Sequence, residues 1–155
     1  DQGYIVAKYS NISSTGAAGP STTFVDTDYP LFRLADAYLM YAEATLRGGS
    51  GSMDQALAYI NALRTRANGG TPGGNIAMGD LTLNFIIDER ARELYWEGHR
   101  RQDLIRFNRY TGGAYNWAWK GNAQNGIPLS NNFRVFPLHV ATLASNPNLT
   151  QNAGY

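Results

Sequence analysis

The sequence contains no cysteine, and charged residues occupy only 16% of its 155 positions. The lack of cysteine excludes disulfide bonds, thiolate metal sites and a cysteine nucleophile together. Lysine and arginine number 13 against 12 acidic residues, which leaves a net charge of +1. A chain so close to neutral lacks the basic surface that attracts nucleic acids or anionic membranes, so we expect neither as a partner.

No apolar run approaches the roughly 20 residues that a membrane-spanning helix requires. The first residues, Asp1 to Tyr4, also lack the basic and then apolar pattern of a secretion signal. With 43% hydrophobic residues, the chain can build the core of one domain. Glycine (17 residues) and tyrosine (10 residues) are frequent for a helical protein of this size, which indicates ordered loops rich in aromatic side chains.

Two amphipathic helices are predicted in the first half of the chain. Apolar residues recur at intervals of three and four from Leu31 to Leu46, and again from Met53 to Asn68. Ser52 precedes the second segment and has the spacing of a helix-capping residue. Because Ala42 and Ala56 are small, we expect the two helices to pack closely as an antiparallel pair with these residues near the contact.

Two further helices are predicted around a charged segment. The third helix is expected to begin at Asp80 or Thr82, either of which can cap it, and to end at Gly98. A fourth, shorter helix is predicted from Arg101 to about Asn108. Beyond Tyr110 the sequence predicts loop structure to the end of the chain.

The predicted fold class is mainly α, with tetratricopeptide-like helix pairs and long ordered loops. Residues 1–29 are expected to form an extended or loop lead-in, because apolar and polar residues alternate from Tyr4 to Tyr9 before a stretch rich in Gly, Ser and Thr. Residues 30–155 then form a helical domain. Since one helix pair cannot bury both of its faces, we expect further pairs upstream of this chain.

The densest motif in the chain is DERARELYWEGHRRQDLIRF, from Asp88 to Phe107. It resembles the C-terminal hallmark of SusD/RagB proteins, in which an ERxxEL…EGxRxxDLxR stretch joins two helices. Three more segments agree in the same order, namely PLFRLADAYLMYAEA (30–44), YINALRTRA (59–67) and NPNLTQNAGY (146–155). In the last of these, Ala153 replaces the proline of the family's usual ending.

The resemblance implies that this chain is the C-terminal part of a SusD-like fold, because full members are several times longer and begin with a lipoprotein signal. It implies non-catalytic capture of oligosaccharides, or of peptides for some members, at the cell surface on the outer membrane. The ligand would then pass to a TonB-dependent, SusC-like transporter. Membrane attachment would depend only on a missing N-terminal lipid anchor. No cofactor and no catalytic residue are expected.

The charged motif also has a physical interpretation of its own. On a helix, Asp88 and Arg92 lie four residues apart, as do Glu89 and Glu93, which offers one ion pair and two aligned carboxylates. The arginines expected to bind these carboxylates are Arg90, Arg100, Arg101 and Arg106. We interpret the cluster as structural, because carboxylates held ionised by arginine are poor general acids.

Two other classes of protein remain as alternatives. A helical-repeat scaffold that binds protein would also contain paired helices. A glycoside hydrolase, the weaker alternative, would need two carboxylates with different protonation states. A metal site is not expected, because His99 and His139 are far apart in sequence and the second has no acidic neighbour at ligand spacing.

The candidate carbohydrate-binding residues are Tyr115, Asn116, Trp117 and Trp119, which follow the fourth helix in a segment rich in glycine and asparagine. Sugars present apolar C–H faces and many hydroxyls, so aromatic rings bordered by amides can hold a glycan without cleaving it. Alternatively, the rings pack the loop onto the helices. On that interpretation, which we favour from sequence, at least one of the two tryptophans is buried.

Overall fold

The computed structural model describes residues 8–13 and 15–155. In these residues the chain is helical, and its β-pairing is limited to two isolated bridges, which confirms the predicted mainly α class. The helices are α1 (Leu34–Leu46), α2 (Met53–Ala67), α3 (Leu83–Glu93), α4 (Arg100–Arg106) and α5 (Val140–Ser145). Single turns of 3-10 helix lie at Pro72–Gly74, Met78–Asp80, Lys120–Asn122 and Asn131–Arg134.

The chain divides into two compact units, residues 1–98 and residues 99–155. The first unit contains α1, α2 and α3, and the second contains α4 and α5. The lead-in forms turns and bends at residues 8–13 and 15–29. Residues 4–7 of the predicted apolar-polar alternation lie outside the described residues. None of the helices in the described ranges has the length and apolarity needed to cross a membrane.

Helices α1 and α2 pack against each other as an antiparallel pair, as predicted, and α3 packs against α1. The rings of Tyr38 and Tyr59 stack with their centroids 4.1 Å apart, and the ring of Tyr41 meets Tyr59 edge-on at 5.2 Å. Ala42 and Ala56 are fully buried. Small buried side chains allow helices to pack closely, and the tyrosine rings add aromatic contacts between α1 and α2.

The core of the first unit is formed by one apolar stripe on each of its helices. Spacings of three and four residues place the buried positions of a helix on one face. The fully buried apolar residues are Leu39, Ala42, Ala56, Ile60, Ile86 and Ile87. The periodicity that predicted the helices therefore also identifies most of their buried positions. It is wrong at the beginning of the first helix, where α1 starts at Leu34 and not at Leu31, and where Leu31 and Leu34 are exposed.

Side-chain caps fix where two of these helices begin. The hydroxyl of Ser52 accepts a hydrogen bond from the backbone N–H of Gln55 at 3.3 Å, which starts α2. The hydroxyl of Thr82 accepts one from the backbone N–H of Phe85 at 3.2 Å, which starts α3. Each cap satisfies a donor that the first helical turn leaves unpaired.

The third and fourth helices are shorter than predicted. Helix α3 ends at Glu93 and does not reach Gly98, because the turn between them contains Trp96 at φ 61°. Helix α4 likewise ends at Arg106, shortly before Asn108 at φ 56°. A left-handed residue cannot continue a right-handed helix, and neither conformation is predictable from apolar spacing.

The loop prediction beyond Tyr110 is wrong at α5. This helix has six residues, too few to show a recognisable apolar period. It is capped by His139, whose Nδ1 accepts a hydrogen bond from the backbone N–H of Ala141 at 3.2 Å.

The last residues of the chain are held by side-chain hydrogen bonds to backbone. The amide of Gln151 accepts from the N–H of Leu138 at 2.8 Å and donates to the carbonyl of the same residue at 2.9 Å. The hydroxyl of Tyr155 donates to the carbonyl of Val135 at 2.9 Å. These bonds hold the C-terminal segment in place, where no helix or strand supplies backbone hydrogen bonds.

Candidate functional site

All four predicted binding residues lie in the segment 110–129 of the second unit, which we call the aromatic loop. The loop closes on itself, because the backbone N–H of Gly112 donates to the carbonyl of Leu129 at 2.8 Å. It contains no aspartate or glutamate. The groups it can offer a ligand are ring faces, amide side chains and backbone.

The aromatic loop is organised around Lys120, which is only 1% exposed. Its ammonium donates to the carbonyl oxygen of Tyr115 at 2.7 Å and lies 4.7 Å from the ring centroid of Trp117. A buried charge is costly unless it is bound, so these contacts tie the lysine to the preceding part of the loop. Sequence reasoning missed Lys120, because a lone lysine among glycines and amides is typical of an exposed position.

A tight reversal follows Trp117. The backbone is left-handed at Trp119, at φ 68°, and again at Asn122, at φ 63°. The N–H of Trp119 donates to the carbonyl of Ala123 at 3.0 Å, and that of Asn122 donates to the carbonyl of Trp119 at 3.0 Å. These bonds hold the reversal in one conformation.

Gly126 completes the reversal at φ 71°. A Cβ at this position would overlap the carbonyl oxygen of Trp117. Glycine is therefore required both by the backbone angle and by the close approach of the two chain segments.

Both indole rings of the aromatic loop are on the surface. Trp117 is 38% exposed and Trp119 is 65% exposed. The expectation that at least one of them is buried is therefore wrong. The physical reason is that the side chain of Lys120 occupies the interior of the loop, while the left-handed turn places Trp119 outside it. Asn116, beside Trp117, is also exposed.

Tyr115 has a different environment from the two tryptophans. Its ring is half-buried, with the guanidinium of Arg100 at 5.9 Å and that of Arg109 at 5.5 Å from its centroid. Its hydroxyl accepts a hydrogen bond from Arg100 at 3.1 Å. The rings of Tyr115 and Trp117 are 5.8 Å apart and tilted by 53°. Tyr115 therefore supports Trp117 from one side.

The carboxylates of the charged motif are bound by arginines from distant parts of the first unit. Glu89 accepts from Arg64 at 2.8 Å and from Arg92 at 2.6 Å. Glu93 accepts from Arg33 and from Arg66. The structural role that we inferred for this cluster thus has a geometric basis, but its main partners are on α2 and at the start of α1.

Four arginines that we expected to bind Glu89 and Glu93 make other contacts. Arg90 binds Asp36 at 2.7 Å, and Arg106 binds Asp103 at 2.8 Å. Arg101 donates to the carbonyl oxygens of Phe133 and Arg134, and Arg100 binds Tyr115. The predicted pair of Asp88 with Arg92 is also replaced, since Arg92 binds Glu89 and Asp88 is exposed. Helical spacing alone could not choose among these partners.

Glu97 is buried in the turn after α3, where its carboxylate accepts hydrogen bonds from Arg33 and Lys8. Burial raises its pKa, but hydrogen bonds from Arg33 and Lys8 outweigh this effect and hold the pKa of Glu97 below its ordinary value. The hydrogen bond to Glu97 in turn raises the pKa of Arg33, against the effect of burial. A carboxylate held ionised in this way cannot act as the general acid of a glycosidase.

A metal-binding group of the usual kind is not found in the part of the chain that the structure describes. Those residues contain no cluster of three or more His, Cys, Asp or Glu side chains that could hold a metal ion.

Comparison with known proteins identifies the family. The sequence profile of the SusD family matches residues 1–155. A crystal structure of a SusD superfamily protein from Bacteroides vulgatus superposes with a TM-score of 0.66, at 28% identity, over 88% of this chain and 30% of that one. This chain belongs to the SusD family.

Named relatives are similar along nearly the whole of this chain. The starch-binding protein SusD of Bacteroides thetaiotaomicron is 42% identical over 153 residues, which cover 99% of this chain and 26% of that protein. Two SusD-like proteins of Formosa agariphila are 34% and 33% identical, over 26% and 30% of their lengths. The chain thus spans between a quarter and a third of the length of these relatives.

Proposed function

We propose that this chain serves in the non-catalytic binding of oligosaccharides, and that the aromatic loop contacts the sugar. The observation that carries this proposal is the exposure of Trp117 and Trp119 on a loop that Lys120 fixes from inside. Flat aromatic faces bind the apolar faces of sugar rings. A loop already held in one conformation loses little entropy when a ligand binds.

The groups around the rings favour binding over cleavage. Asn116 and Asn122 can pair with sugar hydroxyls, and the aromatic loop has no carboxylate to act as an acid or a nucleophile. A relative that is 42% identical is named a starch-binding protein. We therefore choose an α-glucan oligosaccharide as the first ligand to test.

For the full-length protein, we propose attachment to the outer membrane by an N-terminal lipid and delivery of the ligand to a TonB-dependent, SusC-like transporter. The family membership supports this proposal. Purification of the tagged full-length protein from detergent-solubilised outer membranes should recover such a transporter. Recovery of the protein from the soluble fraction alone would contradict the proposed location.

The helical-repeat interpretation is supported by one further observation. Leu31 and Phe32, just before α1, and Leu34, its first residue, are all exposed. A cluster of large exposed apolar side chains is typical of a surface that packs against other polypeptide. We propose that this surface packs against further helix pairs of the full-length protein, which is compatible with glycan binding at the aromatic loop.

The experiment for the aromatic loop is calorimetric titration of the full chain with maltoheptaose. We expect Trp119→Gly to weaken binding by about 1 kcal/mol, or roughly fivefold, because one ring is lost. Glycine is chosen because it adopts φ 68° without strain, so the fold should be retained.

Trp119→Tyr, which keeps an aromatic face, is the matched control and should bind nearly as well as the parent. Unchanged affinity of the glycine variant would refute a role for Trp119 in binding. Release of shorter sugars from maltoheptaose would refute the non-catalytic assignment.

A further inference from the structure

The turn between α3 and α4 exposes two adjacent aromatic side chains, Tyr95 and Trp96. They do not belong to the aromatic loop, and their rings are not part of the ion pairs of Glu89, Glu93 and Glu97. Tyr95 is 56% exposed and Trp96 is 60% exposed. Their ring centroids are 6.4 Å apart and their planes meet at 78°. Both belong to the first unit, whereas the aromatic loop belongs to the second.

The backbone at Trp96 is in an unfavourable conformation for this residue. Its φ is 61°, in the left-handed region where bulky side chains are uncommon and glycine or asparagine is preferred. A chain reversal alone does not require an indole at this position, and the exposed ring contributes little to the core. Strain at a surface aromatic is a reason to look for a role in binding.

The turn that carries Tyr95 and Trp96 is held by hydrogen bonds from Lys8 and Arg33. Lys8 donates to the carbonyl oxygen of Tyr95 at 2.8 Å. Arg33 donates to both carboxylate oxygens of Glu97, at 2.7 and 2.8 Å, and also to the carbonyl of Glu93. Charge-assisted bonds of this kind are stronger than neutral ones and restrict the backbone on both sides of Trp96. The two rings are therefore presented in a preformed arrangement.

The arrangement at Trp96 repeats that at Trp119. Both are exposed indoles at left-handed positions, with φ of 61° and 68°, and both lie in turns held by a lysine that donates to a nearby carbonyl. The chain has three tryptophans, and all three are on the surface. Tryptophan is ordinarily among the more buried residues, so this distribution indicates a shared surface function.

We propose that Tyr95 and Trp96 form a second carbohydrate-binding subsite, in the first unit of the chain. The ligand class rests on the proposed function, because it is assigned from the likeness between Trp96 and Trp119. The acidic side chains next to the two rings in sequence are Glu93, at the end of α3, and Glu97, in the turn. Both are already bound by basic side chains. The surface is thus formed by rings with polar edges, which suits a neutral sugar.

The test uses the indole N–H signals of the full chain, labelled with nitrogen-15, during titration with maltoheptaose. One signal is expected from each tryptophan, and single substitutions assign them. We expect the Trp96 signal to shift in a saturable manner. The Trp117 and Trp119 signals report separately on the aromatic loop, so the two sites are distinguished in one titration.

Two results would overturn the second subsite. One is a Trp96 signal that stays in place while those of Trp117 and Trp119 shift. The other is an equal shift of the Trp96 signal with sorbitol, an acyclic polyol without a sugar ring. Conversely, a shift confined to Trp96 would support this subsite and refute the aromatic loop as a binding surface. No shift of any indole signal would refute maltoheptaose binding at both.

Substitution of Trp96 tests how much its ring contributes to the affinity for maltoheptaose. Trp96→Gly removes the ring and relaxes the left-handed backbone, so we expect an unchanged or higher melting temperature with about fivefold weaker binding. Trp96→Tyr should retain most of the affinity. Phe24→Ala, an exposed aromatic elsewhere in the first unit, serves as the control. Equal losses for Trp96→Gly and Phe24→Ala would contradict a specific subsite, and so would the absence of any loss for Trp96→Gly.

Discussion

The guanidinium of Arg33 donates two parallel hydrogen bonds to the carboxylate of Glu97, from Nε to Oε2 at 2.7 Å and from Nη2 to Oε1 at 2.8 Å. Arg33 immediately precedes α1, and Glu97 lies in the turn after α3. The two residues are 64 positions apart in sequence, and their pairing joins the start of α1 to the turn that follows α3. A bidentate pair fixes direction as well as distance, so it orients the turn that carries Trp96.

Glu93 is expected to contribute to folding stability through Arg33 and Arg66. We predict that Glu93→Ala lowers the free energy of unfolding by about 1–3 kcal/mol, because the arginines lose a mostly buried acceptor. Chemical denaturation of the full chain measures this value. Asp88→Ala, at an exposed site on the same helix, should change stability by no more than about 0.5 kcal/mol. Equal effects of the two substitutions would show that the network is not stabilising.

Stability should depend on pH through Glu97. Its pKa is lower in the folded chain than its ordinary value, so its ionised form favours folding. This contribution is complete above the unfolded pKa and is lost as pH falls through the folded pKa. We predict that the melting temperature declines as pH is lowered from about 5 to 3, and that Glu97→Gln shows a shallower decline. If the melting temperatures of the parent and of Glu97→Gln fell in parallel as the pH is lowered, the acid sensitivity would come from other carboxylates.

The close contact of α1 and α2 predicts a strong effect of side-chain size. Ala56 is fully buried at this contact, so Ala56→Leu should destabilise the fold by about 1–3 kcal/mol through overpacking. Ala58→Leu is the matched control, because Ala58 is exposed on the same helix. Thermal denaturation of both variants measures the difference in their stability. A tolerated leucine at position 56 would mean that the helices can move apart at little cost.

The aromatic loop offers a test of its tight reversal. Gly126 and Gly112 both have φ of 71°, but only at Gly126 would a Cβ overlap backbone, at the carbonyl of Trp117. We expect Gly112→Ala to cost about 1–2 kcal/mol from the left-handed conformation alone. Gly126→Ala should cost more and should also weaken maltoheptaose binding, because it displaces Trp117. Similar stability and affinity for the two variants would argue against the observed packing of the loop.

Local patterns account for much of what could be predicted. The period of apolar residues identified α1 and α2 and most of the positions that they bury, although it placed the start of α1 three residues too early. The spacing of Ser52 and Gln55 located the start of α2. The spacing of the charged motif indicated a structural cluster on α3. Such features depend on residues within one or two helical turns, so the order of residues along the chain is sufficient to specify them.

Contacts between distant residues were decided only by the tertiary structure. Glu93 and Glu97 are bound by Arg33, about 60 positions away, and not by the arginines that follow them in sequence. Lys120 is buried although its sequence neighbours are typical of a surface loop, and its position leaves both Trp117 and Trp119 exposed. Long flexible side chains can reach many partners, so their pairing depends on which helices and turns are brought together. The exposure of a ring depends likewise on what else fills the space beneath it.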